Sequence, residues 1–127
     1  MAYKPGGGLP KYRNTQKYKA EITEKDGIKF DSKKEARRYS ELLILQKAGQ
    51  ISRLRVHPEF PLLETFEDIY TGETERGIKY IGDFLYVDHI EPARLVCEDT
   101  KGFETTEFRI KWKWVKSKYP GIEFRIV

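Results

Sequence analysis

The apolar positions change their period along the chain, and the changes mark the elements. Glu21 to Phe30 alternates in part around Asp26-Gly27, which predicts a short hairpin. Asp31 and Ser32 are helix-start residues, and Lys33 to Ala48 carries a helical pattern that Gly49 ends. Ile51 to Leu63 is β-rich, with Pro58 and Pro61 implying a bend or an edge. Glu64 to Gly77 is acidic and reads as a solvated hairpin tip around Thr71-Gly72. Ile78 to Asp88 and Ala93 to Lys101 read as two strands joined through His89-Ile90-Glu91-Pro92. Glu104 to Tyr119 is helical, Pro120-Gly121 a turn, and Ile122 to Val127 a closing strand. Helix, meandering strands, helix and strand predict an α+β fold with helices packed on a mixed sheet.

Parity and helical phase then expose carboxylates on apolar faces. With Glu35 at 0° on the first helix, Tyr39 falls near ~40° and Leu42 near ~340°, so Glu35 lies within the core stripe. An unpaired buried charge is costly, so Glu35 needs a partner. One reading is a capping box, Ser32-x-x-Glu35. In Ile81 to Val87, period two puts Asp83 on the face of Ile81, Leu85 and Val87. In Leu95 to Lys101, Asp99 and Lys101 share a face with Leu95 and Cys97, while Glu98 points the other way. A hairpin through 88–92 brings Asp83, Asp99 and Lys101 together.

Two carboxylates with the Thr100 backbone carbonyl suit a hard cation such as Mg²⁺. The ion would acidify a water and neutralise charge on a phosphoryl group. Lys101 would orient or help deprotonate that water, or offset phosphate charge. Glu35 would complete the metal shell. The competing reading is a strand pair with ordinary salt bridges, Asp99 to Lys101 or to Arg94.

Composition bounds the rest. The 127 residues are one domain's worth, with 39% hydrophobic, 13% aromatic and 35% charged residues, too apolar for a fully disordered chain. No apolar run approaches the ~20 residues that span a bilayer, and Met1 to Ala20 lacks the apolar middle of a secretory signal. One cysteine, Cys97, excludes an internal disulfide and reads as a small core residue in a reducing compartment. Two histidines argue against zinc.

The net charge of +4 is uneven. Residues 1–20 hold five basic groups and no acid, with Pro and Gly in the same stretch. They read as a flexible basic arm, in which Lys11, Arg13, Lys17 and Lys19 would follow a nucleic-acid backbone. The bland alternative is a solvated terminus. Residues 21–127 form the single folded domain.

On the second helix Phe108, Trp112, Val115 and Tyr119 make the core stripe, and Lys111 borders it. Arg109, Lys113 and Lys116 form a solvated or phosphate-facing side. Trp114 and Ile110 fall off the stripe, free for a partner surface such as a dimer interface or for packing under the arm.

The segments "DGIKFDSKKEARRY", "YIGDFLY" and "EDTKGF" resemble the PD-(D/E)xK nuclease superfamily and, within it, small phage-encoded endonuclease-like proteins. The resemblance covers about residues 20–127. Its metal-binding aspartate falls on Asp83, its (D/E)-x-K motif on Asp99-Thr100-Lys101, and its helix glutamate on Glu35. Gly82 stands where the motif's proline would be, and His57 where relatives often carry glutamine, a position given a structural role here. The resemblance implies a restriction-endonuclease-like core of αβββαβ order and Mg²⁺-dependent DNA cleavage, with Mn²⁺ able to substitute. It also implies Lys111 as a secondary site residue and a cytoplasmic setting in a bacterial host. Among substrates, a Holliday junction or other branched DNA in phage recombination, cut by a homodimer, leads. A nicking, restriction-like or transposon-end nuclease, and a non-catalytic nucleic-acid-binding module, are the alternatives.

Overall fold

The computed structural model describes residues 22–101 and 104–127. Lys11, Arg13, Lys17 and Lys19 lie outside them. The chain divides into two compact units, residues 1–38 and 39–127.

In the first unit, β1 (Thr23–Lys25) and β2 (Ile28–Phe30) pair antiparallel. Asp26 and Gly27 between them have φ of 54° and 78°, the positive values that a two-residue primed turn requires. Helix α1 (Lys33–Lys47) begins here and continues into the second unit. Ser32 Oγ accepts the Glu35 N–H at 3.0 Å, and Glu35 Oε1 accepts the Asp31 N–H at 3.3 Å. This is the predicted capping box, reaching back one residue further than usual. At the other end Gly49 takes φ 82°, and the N–H groups of Gly49 and Gln50 donate to the carbonyls of Gln46 and Leu45. That pattern is a Schellman cap.

The second unit continues with β3 (Ile51–Val56), β4 (Glu59–Leu63), β5 (Phe66–Glu67), β6 (Thr74–Glu75), β7 (Ile78–Ile81), β8 (Phe84–Asp88) and β9 (Arg94–Asp99). Helix α2 (Thr106–Lys118) and β10 (Ile122–Ile126) complete it. The central sheet has the order β10-β9-β8-β3. β3, β8 and β9 are antiparallel, and β10 runs parallel to β9 because α2 carries the chain back. The α+β class expected from the pattern is therefore observed.

The expected single strand Ile78–Asp88 is two strands. β7 pairs with β4 and β8 with β3, so 51–63 and 78–88 form one antiparallel ribbon broken at matching points. Across the break the His57 N–H donates to Asp83 O at 2.9 Å, and the Gly82 N–H donates to Pro58 O at 3.0 Å. Two features set this kink. His57 sits at φ 56°, and Gly82 packs so closely that a Cβ there would meet Cys97 Sγ at 2.6 Å. β5 and β6 close the far end, where Asp68 Oδ1 accepts the N–H groups of Tyr70 and Thr71.

The β8–β9 register pairs Phe84 with Glu98, Tyr86 with Val96, Leu85 with Cys97 and Val87 with Leu95. Phe84, Tyr86, Val96 and Glu98 thus share one face, which Tyr39 of α1 meets by stacking on Phe84. Cys97 on the other face belongs to the cluster of Phe60, Tyr80, Phe108 and Val115. Helix α2 packs there through Phe108 and Val115, with Trp112 stacked on Phe108. Trp114 departs from expectation: it is half-buried against the same cluster, because the β4–β7 end of the ribbon reaches under that side of the helix. Thr105 caps α2 by accepting the Phe108 N–H at 3.0 Å. Thr105→Ala should cost about 1 kcal/mol in a denaturant titration. No helix among the described residues is long and apolar enough to cross a membrane.

Candidate functional site

The kink in the ribbon places two aspartates at one end of the central sheet. The Asp83 N–H donates to Glu98 O at 3.0 Å just beyond the last β8–β9 pair, Phe84 with Glu98, and the Asp83 charge acts on the Asp99 carboxyl, so the two acids are neighbours. Their carboxylates have different partners. Asp83 Oδ2 accepts both the Thr100 N–H (2.6 Å) and the Thr100 hydroxyl (2.8 Å). Asp99 is 4% exposed, and its Oδ2 accepts the Tyr80 hydroxyl at 2.6 Å.

Burial raises the Asp99 carboxyl above its ordinary value. The Tyr80 hydrogen bond opposes that shift, the Asp83 charge adds to it, and Lys101 opposes it. Burial also raises the Tyr80 hydroxyl strongly, helped by its bond to Asp99, so Tyr80 stays a neutral donor. The Cys97 thiol is pushed up to about 12, mainly by burial and then by the carboxylates of Asp99, Asp83 and Glu98. A thiol held neutral in this way is a core residue and not a nucleophile, as expected.

Asp99 opens into a cleft of about 270 Å³ whose walls include Tyr80, Lys101, Phe108, Glu107 and Lys111. Lys101 Nζ stands 4.7 Å from the centroid of the Phe108 ring. Lys111 Nζ pairs with Glu107 Oε2 at 3.0 Å. With Lys79 also in its wall, the cleft joins one buried and one exposed carboxylate, three ammonium groups and a neutral phenol.

The chain matches the family described as "Protein of unknown function (DUF1064)" over residues 15–127. It belongs to the DUF1064 family. No curated protein and no solved structure matches it.

In this DUF1064 protein the sequence-derived residues fall in three places. Asp83, Asp99, Thr100 and Lys101 cluster at the end of β8 and β9, and Lys111 reaches their cleft from α2. Glu35 is 2% exposed in α1, one turn before Tyr39, and makes the capping bonds given above. Arg109, Lys113 and Lys116 are exposed on α2, with Lys116 Nζ 5.7 Å from the Trp112 ring centroid.

Two side chains were undervalued by the sequence. A ring nitrogen of His57, which was given only a structural role, lies within 4.8 Å of an Asp83 carboxylate oxygen. Its signal was Pro58, which marks the bend that faces Gly82-Asp83. Strict alternation from Asp83 would put Tyr80 on the opposite face. The break at Gly82 cancels that alternation and lets Tyr80 reach Asp99.

Proposed function

We propose that this DUF1064 protein is a divalent-metal-dependent DNA endonuclease of the PD-(D/E)xK kind. The observation that carries the reading is the end of β9, where Asp83 is hydrogen-bonded to Thr100 beside the buried Asp99, with Lys101 in the adjoining cleft. Two nearby carboxylates, one buried and raised, call for a cation. Burial and the Asp83 charge both oppose ionisation of Asp99, and a divalent ion offsets both. Oxygen donors select a hard ion, Mg²⁺ or Mn²⁺. Asp83, Asp99 and the Thr100 carbonyl would hold it, with Glu35 as a further ligand. When bound, the ion acidifies a water and neutralises charge developing on the phosphoryl group.

The chain's own groups do the rest. Tyr80 fixes the Asp99 carboxylate by a neutral hydrogen bond, and Thr100 fixes Asp83 through two donors. Lys101 orients the attacking water or balances phosphate charge, and Lys111 meets the phosphate from α2. The β9–α2–β10 crossover beside the antiparallel strands suits a restriction-endonuclease-like core. Branched DNA, a Holliday junction above all, is the proposed substrate in phage recombination, cut by a homodimer. The basic arm, together with Arg109, Lys113 and Lys116, is assigned to the DNA backbone.

The test is cleavage of linear, nicked, flapped and four-way-junction DNA with Mg²⁺, Mn²⁺ or EDTA. Metal-dependent cutting, symmetric on the junction, is the expected result. Binding without cutting of any substrate would favour a non-catalytic module. Glu35→Gln separates capping from catalysis, since the carboxamide keeps an oxygen for the Asp31 N–H. Its melting temperature should hold while cleavage falls about 10- to 100-fold.

A further inference from the structure

The Asp99 cleft continues into a second space that the proposed chemistry does not use. A groove of about 560 Å³ runs between β7 and one stripe of α2, and Ile78, Ile81, Ile110 and Trp114 give it an apolar wall. Lys79, Ile81, Glu107 and Lys111 line both spaces, so the groove and the cleft adjoin. Ile81 and Ile110 are 48% and 57% exposed, which is unusual for isoleucines grouped in a concavity.

We propose that this groove holds an unpaired nucleotide of the DNA, next to the phosphate that the Asp99 cleft receives. The inference rests on the nuclease reading and narrows its substrate class. The charge pattern points to this occupant. Lys79 and Lys111 stand at the shared wall and Lys101 in the cleft, which suits a phosphate there. Beyond them the surface is isoleucine and tryptophan, which suits a base and repels a second phosphate. The carboxylates that engage Lys79 and Lys111 are Glu59 and Glu107, both exposed, so a polyanion can replace them. A base stacked within duplex DNA cannot enter. One already unpaired at a flap, branch or mismatch can, because little stacking is lost. The groove therefore selects DNA with an unpaired nucleotide beside the cut.

The test uses the full chain and Ile110→Glu, at an exposed position where folding tolerates charge. Binding of a labelled duplex, and of the same duplex bearing a single-stranded flap, is measured by anisotropy in EDTA. The parent should prefer the flap. Ile110→Glu should weaken flap binding about tenfold and duplex binding little, whereas Ile110→Ala should fall between. Equal losses on both DNAs, or none, would overturn the proposal. A switch from dimer to monomer in sedimentation with Ile110→Glu would also overturn it, by giving the groove to a second copy. Because binding is read without metal, its outcome is separate from that of the nuclease reading. Cleavage with no flap preference removes the groove alone, and flap preference with no cleavage removes the nuclease alone.

Discussion

Asp83→Asn and Asp99→Asn should each lower Mg²⁺-dependent cleavage about a thousandfold or more while leaving DNA binding in EDTA within a few-fold. A catalytic ion supplies several kcal/mol of charge stabilisation, and ~1.4 kcal/mol is tenfold in rate. Each asparagine keeps an oxygen for the native hydrogen bonds, from Thr100 to residue 83 and from Tyr80 to residue 99. Loss of rate can therefore be separated from loss of fold. The stability effect at residue 99 has a definite sign. Its carboxyl is raised in the folded state, so its contribution to stability is fully present below the unfolded value and lost as pH rises through the folded one. At neutral pH without metal, Asp99→Asn should match or exceed the parent in a thermal melt. Mg²⁺ should raise the melting temperature of the parent and not of the variant. Full cleavage by either variant would remove the metal site from Asp83 and Asp99.

Gly82→Ala should destabilise the protein by about 1–3 kcal/mol, in the range of an overpacked core. The methyl would lie 2.6 Å from Cys97 Sγ, itself fully buried on β9. Either the sulfur or the ribbon must move, and the ribbon carries Asp83 as the next residue. Cleavage should fall with stability. Cys97→Ala in the same chain removes the obstructing atom, so the double variant should recover much of both. A double-mutant cycle by urea titration reads the coupling directly. If the two substitutions add with no coupling, the Gly82–Cys97 contact does not set the kink.

Local order was readable from the chain alone. Ser32-x-x-Glu35 and Gly49 bounded α1 because caps are made by neighbours in sequence. Asp26-Gly27 marked a primed turn because few residue pairs accept positive φ twice. Alternation in Leu95 to Lys101 put Asp99 on the Cys97 face, and the ladder agrees. Asp83 and Asp99 stood out because an acid on an apolar face conflicts with burial, and that conflict is visible in a pattern, whereas Lys111 was a candidate only through the resemblance.

Contacts between distant segments were not readable in the same way. The break at Gly82 depends on Cys97, 15 residues on in sequence, and on the bend at His57-Pro58 across the ribbon. No local period encodes that meeting, so Ile78 to Asp88 looked like one strand. Trp114 appeared exposed, since the β4–β7 ribbon beneath it is brought there by pairing alone. Sequence determined which acids stand on apolar faces and which elements hold them, because period and capping are local. The tertiary structure decided which of those residues meet, because strand register and close packing are set by partners far along the chain.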